Sequence, residues 1–168
     1  MNDTFKQGVE QATGTSSSFS DGVSQITGNY ADNSPSDISE ATNLGEQPTA
    51  SKYNGYCQQF VDDVLQTPPQ NRQATASDAW NNYAQQGLAH SGTEGMQPGD
   101  LIYFEDPNDP AGHVGLYSGN DKFISATQVD PQKPVQNQSI AGWQDLTGDK
   151  VLGYVKNPEN LPSIGGQQ

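Results

Sequence analysis

The single cysteine of the chain, Cys57, lies in the stretch YNGYCQQFVDDVL, residues 53–65. It follows closely after a glycine, at the point where a helix is predicted to begin. A thiol at a helix N-terminus faces unpaired N–H groups and the positive end of the helix dipole, and both favour the thiolate. Cys57 is therefore a candidate nucleophile for attack on a carbonyl carbon. It also belongs to the apolar stripe of that helix, so the alternative interpretation is a buried core thiol.

A histidine in the second half of the chain is the candidate base. His113 opens the predicted strand HVGLY, in which Val114 and Leu116 point to one face while His113 and Gly115 point to the other. Because Gly115 has no side chain, we expect that a helix can approach this face closely. Imidazole can take the proton of a thiol and later protonate a leaving amine near neutral pH. The alternative for His113 alone is a hydrogen-bonded surface histidine.

Two helices are predicted to precede the strands. Apolar side chains recur at helical spacing over residues 57–65, and the sequence TPPQN at residues 67–71 ends this helix. Thr75 with Asp78 three residues later is typical of a capped helix start, and Gly87 is typical of a helix end.

The spacing of apolar side chains then shortens to two, which predicts strands. The strands are DLIYF, HVGLY, KFISA and VLGYV, at residues 100–104, 113–117, 122–126 and 151–155. Helices followed by antiparallel strands predict an α+β fold in which N-terminal helices pack on an antiparallel sheet.

The N-terminal segment differs in composition from the rest of the chain. Residues 1–50 are rich in Ser, Thr, Asn, Gly, Asp and Gln, and they have too few apolar side chains to form a core. We therefore predict an extended, low-complexity polar arm at 1–50, a folded domain at 51–158 and a C-terminal tail at 159–168. We expect the arm to become ordered mainly against other protein chains.

Charge and composition exclude several classes of function. The 20 acidic and 7 basic residues give a net charge of -13, which repels nucleic acid and anionic membranes, so neither is an expected partner. One cysteine and two histidines cannot form a structural zinc site. The carboxylates of EDPNDP, residues 105–110, lack the regular spacing of a calcium loop. We expect no metal and no cofactor. The first residues lack the basic start and apolar run of a signal peptide.

Three segments together resemble the NlpC-type papain-like peptidases and the related CHAP amidases, which cut amide bonds in bacterial peptidoglycan. The segments are GYCQQFV, MQPGDLIYF and GHVGLYSGNDKFISAT, at residues 55–61, 96–104 and 112–127. The resemblance covers about residues 52–156 and implies a papain-like fold. It also implies Cys57 as the nucleophile and His113 as the base, with no cofactor.

The resemblance further implies a third residue that orients the imidazole, usually His, Asn or Gln on the next strand. Hairpin length places this position at Ser125, whereas Gln128 has the more suitable chemistry but the opposite strand parity. Tyr53 and Tyr56, upstream of the cysteine, are candidates for substrate binding, and Trp80 is a third.

These features predict a peptidoglycan hydrolase that cuts an amide bond of the peptide stem, and they leave open whether it is an endopeptidase or an amidase. The small size, the missing signal peptide and the polar arm favour a phage-encoded lysin of the virion tail. Other tail proteins would hold it through the arm, and it would act in the host cell wall and periplasm. The alternative is a weakly active or inactive structural tail protein. Ser125 at the third position supports this alternative, while Cys57 and His113 argue against it.

Overall fold

The computed structural model describes residues 34–157, and within them the chain forms four α-helices and six strands. The helices are α1 Ser34–Gly45, α2 Cys57–Leu65, α3 Ala76–Gln85 and α4 Ile140–Thr147. The strands are β1 Ala89–Ser91, β2 Leu101–Asp106, β3 Asp109–Gly119, β4 Lys122–Ala126, β5 Val135–Ser139 and β6 Lys150–Val155. No helix in this part of the chain is both long and apolar enough to span a bilayer.

All six strands belong to one antiparallel sheet, in the order β1-β6-β2-β3-β4-β5. Strands β2 to β5 follow the order of the chain, whereas β6 returns to lie between β1 and β2. The predicted α+β fold, with N-terminal helices on an antiparallel sheet, is confirmed.

The two helices predicted from apolar spacing and capping are present. Helix α2 buries the apolar stripe Phe60, Val61, Val64 and Leu65. Helix α3 begins after Thr75, whose hydroxyl oxygen accepts a hydrogen bond of 3.1 Å from the backbone N–H of Asp78. This bond satisfies one of the N–H groups that have no partner within the helix.

The sheet has an apolar cluster on each face, because successive side chains of a strand point to opposite sides. Val114 and Leu116 belong to the larger cluster, which includes the stripe of α2. The second cluster consists of Ile102, Phe104, Phe123, Ile140 and Trp143, and its last two members come from α4. Helices therefore cover both faces of the sheet.

The N-terminal boundary of the folded part differs from the prediction. Ala41 in α1 is fully buried and Ala50 is nearly so, while Ile38 and Leu44 pack against the larger cluster. Residues 37–50 thus belong to the same compact unit as the sheet, although the composition of residues 1–50 predicted an arm. Residues 1–33 and the tail from residue 158 lie outside the described residues, so their roles stay predictions.

Four elements were not predicted from the sequence: α1, α4, β1 and β5. Strand β5 has the sequence VQNQS and is the edge strand of the sheet, so it carries little apolar signal. Helix α4 does have recognisable ends. Ser139 accepts a hydrogen bond from the backbone N–H of Gly142, and Gly148 follows the helix with a φ of 80°. Serine before a helix and glycine after it are typical boundary residues.

Candidate active site

The position of Cys57 at a helix N-terminus is confirmed, since α2 begins at this residue. The preceding turn contains Gly55, whose φ of 81° lies in the left-handed region that favours glycine. Tyr56 then precedes the helix without a side-chain cap. The chain therefore turns sharply just before the thiol, and this turn leaves the first N–H groups of α2 directed toward it.

The environment of the Cys57 thiol contains opposing influences on its pKa. Burial raises the pKa of Cys57 to about 11, and it outweighs the backbone N–H groups of Val114, Gln58 and Cys57 itself, which lower the pKa. The charge of Asp109 raises it further. At this pKa the thiol is protonated at neutral pH. Desolvation thus outweighs the N–H groups that led us to expect a thiolate at the helix start.

The sulfur of Cys57 interacts with the backbone N–H of Val114, the residue directly after His113. Cys57 and His113 also line the same cavity, whose volume is about 610 Å³. The fold thus brings the two predicted catalytic residues into one site, although 55 positions separate Cys57 from His113 in the sequence.

His113 is held on several sides. Its side chain is 7% exposed, and its Nε2 lies 2.9 Å from the hydroxyl oxygen of Ser125. The imidazole stacks on the indole of Trp143, with 4.4 Å between ring centroids and 20° between planes, and Phe123 meets it edge-on. Burial lowers the pKa of His113 to about 3, so the ring is neutral at pH 7. Within residues 34–157, no hydrogen bond involves its Nδ1.

Gly115 explains how Ser125 comes so near to the histidine. A Cβ at Gly115 would lie 2.6 Å from a ring carbon of Phe123 and 2.9 Å from the Cβ of Ser125. The sequence predicted that a helix would approach this glycine closely. In the structure, side chains of the neighbouring strand β4 make this close approach instead. Without a side chain at residue 115, both β4 residues pack beside His113.

Gln128 also lines the cavity, but it occupies a different part of it. Its side-chain amide nitrogen packs against Gly55, two residues before Cys57, and its side chain is exposed. No hydrogen bond joins Gln128 to His113 in the described part of the chain. Of the two candidates for the third position, the structure thus places Ser125 at the imidazole and Gln128 near the nucleophile.

The three aromatic residues predicted to bind substrate are placed differently. Tyr56 lines the cavity and is 60% exposed. Tyr53, in contrast, is buried, donates a 2.6 Å hydrogen bond to Asp63 and does not line the cavity. Trp80 packs on Tyr103 and lines a separate cavity of about 340 Å³. The prediction for Tyr53 and Trp80 is therefore not met, because both side chains pack into or beside the core.

Two residues near the imidazole were not identified as functional from the sequence. The indole N–H of Trp143 donates a 2.7 Å hydrogen bond to Asp149, which is buried just after α4. The sequence gives no signal for this contact, since Trp143 and Asp149 read as an apolar helix residue and a turn residue. A search for the capping residues of α4 would have identified this helix, and with it Trp143, but would not have shown that Trp143 contacts His113.

The acidic EDPNDP segment forms the hairpin between β2 and β3, with residues 107–108 as its turn, and its Asp106 and Asp109 line the cavity. Among residues 34–157, no group of three or more His, Cys, Asp or Glu side chains is arranged to hold a metal ion.

An antiparallel sheet with a cysteine at the start of a packed helix, and a histidine on a central strand, defines a papain-like α+β fold. The model of the NlpC/P60 family matches residues 45–149, and the chain belongs to this family. The family consists of cysteine peptidases and amidases that act on peptidoglycan. No curated protein showed significant similarity to the chain.

Proposed function

We propose that this protein hydrolyses an amide bond in the peptide stem of peptidoglycan, with Cys57 as nucleophile and His113 as base. The observation that carries the proposal is that Cys57 and His113 line one cavity, where the backbone N–H of Val114, next to His113, lowers the pKa of the Cys57 thiol. Membership of the NlpC/P60 family supports the wall as the substrate.

The reaction begins from two neutral groups, a thiol and an imidazole. Nδ1 of His113 takes the thiol proton as the sulfur attacks the carbonyl carbon of the amide. The resulting charges of opposite sign attract each other strongly in a cavity of low dielectric constant, which offsets the burial that opposes each charge separately. The imidazolium then protonates the amide nitrogen, the C–N bond breaks, and a thioester remains on Cys57. Water activated by the imidazole hydrolyses the thioester and releases the carboxylic acid.

We assign Ser125 the role of orienting the imidazole. If Nδ1 is to accept the thiol proton, Nε2 must carry the ring hydrogen and donate it to the Ser125 hydroxyl oxygen, 2.9 Å away. A hydroxyl also donates, so it selects this tautomer less strongly than an acceptor such as a carboxylate would. We assign Gln128 the role of second oxyanion donor beside the backbone N–H of Cys57, because its amide nitrogen packs against Gly55.

The proposed activity is tested with purified, dye-labelled peptidoglycan and variants of both residues. We expect Cys57→Ala to abolish dye release, since the chain has no other cysteine. We expect His113→Ala to lower the rate by about a thousandfold or more, as loss of a catalytic base does in comparable enzymes. His90→Ala is the matched control, because His90 is the other histidine and lies exposed on β1 away from the cavity. Equal rates for wild type and Cys57→Ala would refute the proposal.

We further propose that the protein works as a lysin of a phage tail, held there through its N-terminal residues. The polar composition of residues 1–33 supports this, since such segments become ordered on partners. Mass spectrometry of purified phage particles tests the placement. We expect the chain in intact virions, and recovery from infected-cell lysate but not from particles would contradict it.

The second candidate is a structural tail protein that keeps the fold without the activity. The low pKa of His113 and the high pKa of Cys57 favour this candidate, because both oppose proton transfer in the unliganded site. An intact, folded wild-type protein that releases no dye from any peptidoglycan type would establish it.

A further inference from the structure

Trp143 connects the imidazole of His113 to a buried carboxylate. One face of the indole stacks on the imidazole, and the indole N–H donates to Oδ2 of Asp149 at 2.7 Å. Phe123 packs edge-on against both rings, with its ring centroid 6.1 Å from that of the imidazole and 6.0 Å from that of the indole. The imidazole plane is therefore defined by the indole plane, and the hydrogen bond to Asp149 limits how the indole can rotate.

The burial of Asp149 at this position lowers the stability of the folded protein. It is 2% exposed, its Oδ1 has no hydrogen-bond partner within the described residues, and burial raises its pKa. A buried polar atom without a partner costs stability. The carboxylate also lies close enough to Asp106 and Asp109 for their charges to raise its pKa further.

The end of helix α4 does not account for Asp149. That helix is closed by Gly148 in the left-handed conformation, and the Thr147 hydroxyl donates to the carbonyl of Trp143. The backbone N–H of Asp149 donates to the Thr147 hydroxyl, and this hydroxyl also lies close enough to the Asp149 carboxylate to lower its pKa. The stronger influence on the carboxylate is the 2.7 Å bond from the indole N–H of Trp143, which lowers the pKa of Asp149 more than Thr147 does.

We propose that Asp149 is a positioning residue that acts through Trp143 to hold the imidazole of His113 in its reactive orientation. Ser125 fixes the direction of Nε2, while the stacked indole fixes the plane of the ring. Nδ1 has no hydrogen-bond partner within residues 34–157, and His113 lines the cavity that also contains Cys57. This inference rests on the proposed function of His113 as the base. Small errors in the placement of a reacting group lower rates by up to about a hundredfold, so a fixed plane has a catalytic benefit.

The test compares Asp149→Ala with Asp149→Asn, which keeps an oxygen acceptor for the indole, and with Asp145→Ala. Asp145 is an exposed carboxylate on α4, the helix that carries Trp143, and is the matched control for charge removal. The ring-proton shifts of His113 report its stacking on Trp143, and NMR assignment is simple because the chain has two histidines.

We expect Asp149→Ala to reduce the ring-current shift of His113 and to lower kcat about tenfold or more with little change in KM. We expect Asp149→Asn and Asp145→Ala to resemble wild type.

A double-mutant cycle distinguishes positioning from a general effect on stability. Trp143→Phe keeps an aromatic ring beside His113 but removes the N–H, so it should reproduce part of the loss. In that background Asp149→Ala should have no further effect on kcat or on the His113 shifts, because the link is already broken. Independent, additive losses would overturn the inference. If Asp149→Ala does not fold, Trp143→Phe alone decides, and unchanged His113 shifts and kcat in that variant would overturn it.

Failure of this inference is separable from failure of the proposed function. If wild type cleaves peptidoglycan while Asp149→Ala leaves either the His113 shifts or kcat unchanged, the positioning role is wrong and the function stands. If wild type cleaves nothing, the proposed function is wrong. The NMR shifts then decide alone whether Asp149 orients the imidazole.

Discussion

Cys57 and His113 line the same cavity, and the backbone N–H of Val114, the residue after His113, lowers the pKa of the Cys57 thiol. Both side chains are neutral in this arrangement, because burial raises the pKa of Cys57 and lowers that of His113. In the proposed mechanism, the charges needed for attack therefore develop only when the thiol proton moves.

Alkylation tests the protonation state of Cys57. With a pKa of about 11, the thiol carries little thiolate at pH 6, so iodoacetamide should react slowly there. The rate should rise about tenfold per pH unit and continue to rise above pH 9, where a free thiol of pKa about 8.5 levels off. The same protein in urea is the control, since its unfolded thiol should follow the free-thiol curve. Rapid alkylation of the native protein at pH 6 would contradict the pKa described above.

The pH dependence of stability should depend on His113. Its pKa is about 3 in the folded protein and near 6.5 when unfolded, so the unfolded chain binds the extra proton between these values. Above pH 6.5 the ring is neutral in both the folded and the unfolded protein, so the free energy of unfolding has its full value. As the pH falls from 6.5 toward 3, the unfolded chain takes up a proton that the folded protein does not, and the free energy of unfolding decreases. At about 1.4 kcal/mol per pKa unit, the loss is about 5 kcal/mol. Urea unfolding at several pH values measures it.

His113→Gln should remove this pH dependence, while His90→Gln, at an exposed position, should preserve it. Asp62 and Asp149 have raised pKa values, which favour the folded state as the pH falls and so act in the opposite direction. They are present in both variants, so the difference between the two curves isolates His113. Parallel curves for the two variants would show that His113 is not held neutral by the fold.

The hydrogen bond between His113 and Ser125 predicts the effect of removing the hydroxyl. We expect Ser125→Ala to lower kcat about tenfold to a hundredfold, because the imidazole loses the partner that fixes Nε2. Ser118→Ala removes a hydroxyl that donates to Asn137 on β5, the strand beyond β4, and that lies outside the cavity, so it is the matched control. Assays on purified peptidoglycan compare the two. If Gln128→Ala abolished orientation of the imidazole while Ser125→Ala had no effect, the assignment of the two residues would be reversed.

Limited proteolysis tests the boundary of the folded part. Because Ala41 and Ala50 are buried in the compact unit, we expect resistance to begin near residue 37. The composition of the preceding residues predicts that they are cleaved first. N-terminal sequencing of the stable fragment measures the boundary. A stable fragment that begins near residue 51 would show that α1 does not belong to the folded unit.

Much of the fold was predictable from local pattern, because α2 and α3 each present a clear apolar side and β2, β3 and β4 each contain a short apolar segment between turn residues. Cys57 and His113 were identifiable as a pair by their chemistry and by the resemblance of their motifs. The sequence pattern does not show how deeply Cys57 and His113 are buried. Burial determines the protonation state of both residues. The pattern also does not show contacts across the sheet, such as the stacking of Trp143 on His113. Those contacts depend on α4, which is only eight residues long.

The most direct test of the account is the detection of an acyl group on Cys57. Wild-type protein is mixed with a soluble peptidoglycan stem peptide, quenched in acid within the first turnovers, digested and analysed by mass spectrometry. We predict that the peptide containing Cys57 gains the mass of the acyl half of the substrate, and that hydroxylamine removes it as expected of a thioester. Cys57→Ala should show neither adduct nor product. Product formed by Cys57→Ala, or an adduct on another residue of the wild-type protein, would contradict the assignment of Cys57 as the nucleophile.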